Sequence, residues 1–175
     1  SQVPSAAITR SGGANAVIGG SGGAVDRNVV TNSGNDGISI TGAGTTLLGN
    51  YIGLDPDGAT GGGNTDVGIA LLTGSSNTTI GGLSGAATRN VISMNFEGIE
   101  ISTANNVVQG NYIGTDAGGT LDLGQRSSDS VEIVNGTMAF GLRHLEGNGG
   151  TQVNISVEEQ EKISVGETVT IRVVY

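Results

Sequence analysis

The residues of this 175-residue sequence that could carry chemistry are mainly carboxylates in glycine-rich loops. One loop runs Asp55-Pro56-Asp57-Gly58, and Asp66 follows a few residues later. Carboxylate and carbonyl oxygens are the ligands that a hard cation such as Ca²⁺ prefers. Asp55, Asp57 and Asp66 are therefore candidate calcium ligands, but an Asx turn that bonds its own backbone is the interpretation that we favour, and we expect no other cofactor.

Two tyrosines recur at equivalent positions. Tyr51 and Tyr112 each follow a Gly-Asn pair, in a chain with only five aromatic residues. Their apolar ring faces could form a surface that stacks on sugars. A role in the core or at a corner of the fold is the alternative.

Composition excludes several classes of partner. A formal charge of −9 with a single lysine argues against nucleic acid and anionic membranes. The absence of cysteine removes disulfides and thiol chemistry. No apolar run approaches the roughly twenty residues that a membrane span needs, and the first residues lack the pattern of a signal peptide. We expect an extracellular or cell-surface protein whose signal peptide has been removed.

The chain divides near residue 125. Residues 1–125 hold 27 of the 33 glycines, whereas glutamate is concentrated in residues 126–175. Motifs recur within the first part at an offset of 61 or 62, for example Arg27-Asn28-Val29-Val30 and Arg89-Asn90-Val91-Ile92. A Gly-Ile-x-Ile/Leu segment also occurs halfway between its two other copies, so the structural unit has about thirty residues.

Each unit contains three short β-branched runs separated by Gly, Asn, Ser and Thr, which predicts three strands and no helix. Stacked units of this kind form a parallel β-helix, here of four to five coils. The residues Asn28, Asn50, Asn90 and Asn111 each precede an apolar run and should superpose at one corner. We expect a structural asparagine ladder there, because Asn tolerates φ > 0 and its amide can bond to the next Asn.

The middle residue of each Gly-Ile-x-Ile strand should point outward, since side chains alternate along a strand. This places Ser39, Ala70, Glu100 and, in a fifth coil, Glu132 in one outward column. Glu100 and Glu132 would then lie about 5 Å apart, close enough to raise one pKa or attract a cation. Two solvated glutamates in different elements are the alternative.

Taken together, the Gly-Asn-Tyr-Ile-Gly-x-Asp, Arg-Asn-Val-Ile/Val and Asn-Asp-Gly-Ile-Ser-Ile segments resemble repeats of large bacterial surface proteins. The resemblance covers residues 7 to about 125 and implies a right-handed parallel β-helix of the pectin-lyase-like type. That fold serves enzymes, adhesins and purely structural proteins. Of the motifs expected of polygalacturonases, only Asn64-Thr65-Asp66 has a counterpart, so we expect no enzyme.

The pattern of residues 126–175 predicts a short antiparallel β segment. Its sequence resembles part of a bacterial immunoglobulin-like module. Asn135-Gly136 between two apolar runs favours a hairpin, although a fifth coil over residues 130–145 is also possible. The last strand, Thr168 to Tyr175, alternates apolar and polar residues. Its apolar face consists of Val169, Ile171, Val173 and Tyr175, which are the candidate assembly residues, docking in cis or in trans.

A β-helix with open ends exposes unpaired strand edges, which natural proteins cap or bury by assembly. We therefore expect an extracellular structural or adhesive subunit that assembles with itself, as a filament, surface layer or virion component, through its open coil ends and C-terminal strands. A polysaccharide-binding or polysaccharide-cleaving protein is the alternative, so glycans are a second possible partner. Membrane insertion is not expected.

Overall fold

The structure is a computed structural model that describes residues 6–126 and three later strands at 131–133, 138–144 and 153–156. In these residues two 3-10 turns, Gly23–Val25 and Ala86–Thr88, are the only helical segments. In chain order the described strands are β1 (Ala6–Arg10), β2 (Val17–Gly19), β3 (Val29–Val30), β4 (Asp36–Ile40), β5 (Thr46–Leu48), β6 (Tyr51–Ile52), β7 (Val67–Leu71), β8 (Thr79–Ile80), β9 (Val91–Ile92), β10 (Glu97–Ile101), β11 (Asn106–Gln109), β12 (Tyr112–Ile113), β13 (Val131–Ile133), β14 (Met138–His144) and β15 (Val153–Ser156).

The strands form three sheets that the chain visits in turn. Sheet 1 contains β1, β4, β7, β10 and β13; sheet 2 contains β2, β5, β8, β11, β14 and β15; sheet 3 contains β3, β6, β9 and β12. The described pairings are parallel, apart from the antiparallel pair β14 and β15. The result is a β-solenoid, with about 3 turns between β3 and β12. The prediction of an all-β solenoid is confirmed.

Stacked branched side chains fill the interior. Ile69 of β7 lies in register between Ile38 of β4 and Ile99 of β10, so identical residues repeat from coil to coil. All three sheets contribute to one buried cluster, which consists of Val30, Ile38, Ile40, Leu47, Ile52, Ile69, Leu71, Ile80, Ile92, Ile99, Ile101, Val108 and Ile113. Each such side chain contributes about 1.5–3 kcal/mol when fully buried, which makes this cluster the main stabilising element of the fold.

The hairpin interpretation of residues 131–140 is wrong. Strand β13 pairs in parallel with β10 in sheet 1, and β14 pairs in parallel with β11 in sheet 2. The Asn-Gly pair indicates a turn only from local sequence. Both strands instead form parallel ladders with strands of the preceding coil, and this longer-range pairing excludes an antiparallel pair between β13 and β14. Residues 134–137, which hold the dipeptide, lie outside the described part of the chain.

Candidate functional site

The predicted asparagine ladder is present at the corner before sheet 3. The Nδ2 atom of Asn28 donates to Oδ1 of Asn50, Asn50 donates to Asn90, and Asn90 donates to Asn111, each over 2.9 Å. Each Oδ1 atom also accepts the backbone N–H of the preceding Asn, at 3.0–3.3 Å. The remaining amide proton bonds a strand carbonyl, as in the 2.8 Å bond from Asn90 to Leu47. The amides of Asn50 and Asn90, in the middle of the ladder, are therefore fully bonded, and the ladder serves stability.

The predicted backbone reason for this ladder is wrong. None of its four asparagines has a positive φ; instead Gly49 and Gly110, which precede Asn50 and Asn111, adopt φ of 71° and 65°. The glycine makes the turn, and the asparagine can then keep ordinary backbone angles while its amide points along the stack. Glycine therefore provides the positive φ and asparagine provides the ladder amide, which explains the Gly-Asn pairs at 49–50 and 110–111.

A second ladder occupies the corner before sheet 1, and the sequence reasoning missed it. Nδ2 of Asn64 donates to Oδ1 of Asn95 over 2.8 Å, and the Asn95 N–H donates to Oε1 of Gln125 over 2.9 Å. Asn64 and Asn95 are fully buried. The residue that matches a polygalacturonase motif is thus a structural amide. The missed signal was an Asn shortly before two of the Gly-Ile pairs: Asn64 lies four residues before Gly68, and Asn95 lies three residues before Gly98.

The recurring tyrosines lie under arginines. The guanidinium carbon of Arg27 lies 3.8 Å from the ring centroid of Tyr51, and Arg89 lies at the same distance over Tyr112. Each Nε–H also donates to a glycine carbonyl one coil away, at 3.3 Å. The rings are 9 % and 6 % exposed, so neither offers an open face for a sugar. The corner role is the one that the structure shows.

Two loops cover the outer side of sheet 3. Tyr51, Val91 and Tyr112 form a second apolar cluster with Leu54, and Ala117 packs against it. The loops after β6 and β12 touch each other, because the Ala117 N–H donates to the Gly58 carbonyl over 2.7 Å. The loops in which a site was expected are therefore a second structural layer.

The carboxylate of Asp57 accepts hydrogen bonds from residues of its own turn. The Asp57 carboxylate accepts the N–H groups of Ala59 and Thr60 at 3.0 Å and the Thr60 hydroxyl at 2.7 Å. The Ala59 N–H, followed by the two Thr60 donors, lowers the pKa of Asp57. In the described residues no group of three or more His, Cys, Asp or Glu could hold a metal ion. This geometry supports the Asx-turn alternative for Asp57 and adds nothing in favour of calcium at Asp55, Asp57 and Asp66.

A cluster of carboxylates lies on sheet 1. Glu100 of β10 is in register with Glu132 of β13 and with Ala70 of β7, as the predicted column requires. Burial raises the pKa of Asp36 to about 6, and the charges of Asp66 and then Glu100 add to the rise. Asp36 is only 8 % exposed, so this part of the sheet is shielded from water.

The first coil is the open end of the described solenoid. Strands β1, β2 and β3 are the outermost strands of sheets 1, 2 and 3. Ile8 and Ile18 of this coil are only partly buried, while their counterparts further along the stack are fully buried. Val17 and Val29 are 62 % and 38 % exposed. Within the described residues no donor reaches Oδ1 of Asn28, so the ladder also ends there.

The remaining candidate residues lie outside the described part of the chain. Val169, Ile171, Val173 and Tyr175 belong to residues 157–175, for which the structure describes nothing. The division between residues 1–125 and 126–175 likewise stays a prediction.

Comparison with known proteins returned no relative: no protein-family model, no curated protein and no solved structure matches this chain. The resemblance to bacterial surface repeats and to an immunoglobulin-like module therefore stays a prediction. Among the described residues, no helix is long and apolar enough to cross a membrane.

Proposed function

We propose that this chain is an extracellular structural or adhesive subunit that assembles with copies of itself, and that its first coil is an assembly surface. The observation that carries the proposal is the alignment of three outer strand edges, because β1, β2 and β3 end all three sheets on one coil within the part of the chain that the structure describes. A strand edge with free N–H and C=O groups is a template for another chain. The partly buried Ile8 and Ile18 add apolar surface that a stacked copy would cover.

The proposed subunit has more coils than the three turns between β3 and β12. Strands β13 and β14 would extend the stack to four complete coils and part of a fifth. We expect the winding to be right-handed, because parallel strands joined by a crossover follow that hand in about 98 % of cases. The antiparallel β14–β15 pair then begins a C-terminal β segment that closes the other end of sheet 2.

The test introduces a charge at the strand edge and compares it with the same charge elsewhere. Val17→Lys and Val29→Lys place an ammonium on β2 and β3, which natural edge strands use to prevent pairing. Val25→Lys is the control, because Val25 is 87 % exposed in a 3-10 turn and lies on no strand. Mass is measured by light scattering, and particles are viewed by negative-stain electron microscopy.

We expect the unmodified chain and Val25→Lys to form the same assemblies, and both edge variants to remain monomeric with an unchanged circular dichroism spectrum. A full-length chain that is monomeric at the highest attainable concentration would refute the proposal. Assembly that withstands both edge substitutions would show that the first coil is not the interface.

A further inference from the structure

One end of the described stack is closed in sheet 2, and the other end is not. Strand β15 lies beside β14 in antiparallel orientation, at the position where the strand of a further coil would be added. At the opposite end, β1, β2 and β3 are consecutive strands of one coil, and each is the outermost described strand of its sheet. Within the described chain, the first coil is therefore the end at which all three sheets can be extended by parallel or antiparallel pairing.

A subunit with one such surface assembles differently from a subunit with two. Head-to-tail stacking of copies would place one strand of the first coil against the reversed strand β15, while the other two strands would meet the ends of sheets that are not extended in this way. Contact between the first coils of two copies avoids this conflict. The copies are then related by a two-fold axis, and the contact closes as a dimer because each subunit uses the same surface.

The distribution of charge favours the same contact. The chain has a formal charge of −9, so two copies repel each other over most of their surface. Residues 6–30, which form the first coil, contain three charged residues, namely Arg10, Asp26 and Arg27. The many carboxylates of sheet 1 and of the loops after β6 and β12 begin only at Asp36. The first coil is thus nearly neutral, and two copies can approach each other there with little repulsion.

The rise of the coil selects the position of the two-fold axis. The chain climbs by about 4.8 Å per coil, so the first coil is a ramp on which β1 lies furthest out, β2 is intermediate and β3 lies furthest in. An axis through β2 places β2 beside its own copy and the protruding β1 beside the recessed β3 of the other copy. The separation is then equal at all three edges, whereas an axis through β1 or β3 leaves a mismatch of a whole strand spacing.

We propose that two copies of this chain pair through their first coils about a two-fold axis at β2, with β1 of each copy beside β3 of the other. The partly buried Ile18 then lies opposite its own copy, and Ile8 lies opposite Val30 of the second copy, so the apolar interior continues across the contact. The exposed side chains of Thr9 and Val29 lie opposite each other on the outer face. This inference rests on the proposed function, and it names the partner and the symmetry at that assembly surface.

The test uses the absence of native cysteine, which makes each introduced thiol unique. Thr9→Cys and Val29→Cys are prepared as separate chains and mixed under reducing conditions before oxidation. Opposite side chains on antiparallel strands have Cβ atoms about 4.5–5.5 Å apart, close to the disulfide distance. We expect the mixture to form disulfides between unlike chains at least about tenfold faster than either variant alone, because the paired thiols have a high effective concentration. Ala104→Cys, at an exposed position between β10 and β11, is the control for random collision.

Light scattering over a range of concentrations reports the size of the assembly independently. We expect the mass of the unmodified chain to reach a plateau at twice the mass of one chain. Growth beyond a dimer would overturn the two-fold contact and leave self-assembly intact, whereas a chain that is monomeric at every concentration would refute both. A dimer in which the mixed variants form disulfides no faster than each variant alone, or no faster than Ala104→Cys, would overturn the proposed pairing of β1 with β3.

Discussion

Replacing Asn90 by alanine should destabilise the solenoid far more than the loss of one hydrogen bond would suggest. Asn90 is fully buried, and its amide takes part in four bonds. Two acceptors survive its loss: Oδ1 of Asn111 still receives the N–H of residue 90, and the Leu47 carbonyl still receives the Gly81 N–H. The two donors on Asn50, its N–H and one Nδ2 proton, lose their only acceptor.

A buried donor without a partner costs about 1–3 kcal/mol, so Asn90→Ala should lower the free energy of unfolding by about 2–6 kcal/mol. This is a large part of the roughly 5–15 kcal/mol that a typical domain has. Asn28→Ala is the matched control. It removes a ladder bond of the same 2.9 Å length, but the Asn28 N–H still donates to Oδ1 of Asn50, so no group is orphaned. Its expected cost is about 0.5–1.5 kcal/mol.

The measurement is urea unfolding followed by circular dichroism in the β region. Asn90→Asp provides a second comparison, since it keeps the shape and the acceptors but removes both donors and adds a charge in a buried site. It should cost more than Asn90→Ala at neutral pH and recover part of that cost in acid, where the carboxyl is protonated. Equal costs for Asn90→Ala and Asn28→Ala would refute the argument that orphaned donors dominate.

Three further outcomes can be checked by the same assay. Gly53 and Gly85 have nearly the same φ, 92° and 91°, but a Cβ at Gly53 would lie 1.9 Å from a carbonyl oxygen of the next coil, while nothing lies within 4 Å at Gly85. Gly85 has ψ of −159°, which together with its positive φ is a conformation almost restricted to glycine. Gly85→Ala should therefore cost about 1–3 kcal/mol from backbone strain alone, and Gly53→Ala several kcal/mol more; similar costs would contradict the clash. Because the pKa of Asp36 is raised to about 6 in the folded chain, its charge opposes folding as the pH rises through that value. Asp36→Asn should thus stabilise by about 1–3 kcal/mol at pH 7.5 and have little effect below about pH 4, and a stabilisation independent of pH would show that the charge is not responsible. A double-mutant cycle of Arg89→Met and Tyr112→Leu should give a coupling of about 0.5–1 kcal/mol, whereas purely additive effects would deny the stacking a role.

The repeat pattern alone determined the solenoid and its first ladder. Motifs such as Gly-Asn-Tyr-Ile-Gly recur at nearly constant spacing, and stacked coils must place equivalent residues above one another. Asn28, Asn50, Asn90 and Asn111 could therefore be aligned without coordinates. The second ladder was harder to recognise, because Gln125 replaces Asn in its last rung and Asn64 lies in a loop of different length from its equivalents.

Tertiary structure decided what each face of the stack touches. Alternation correctly separates Ser39 and Ala70 from the interior isoleucines, but it cannot show whether an outward residue meets water or another segment of the chain. The Asn135-Gly136 turn signal is also local. It predicted a hairpin, whereas β13 and β14 pair in parallel with β10 and β11, about thirty residues earlier. Periodicity reports the repeating environment of a coil, whereas the 3 % exposure of the outward-facing Ser39 is a property of the folded chain that no local pattern encodes.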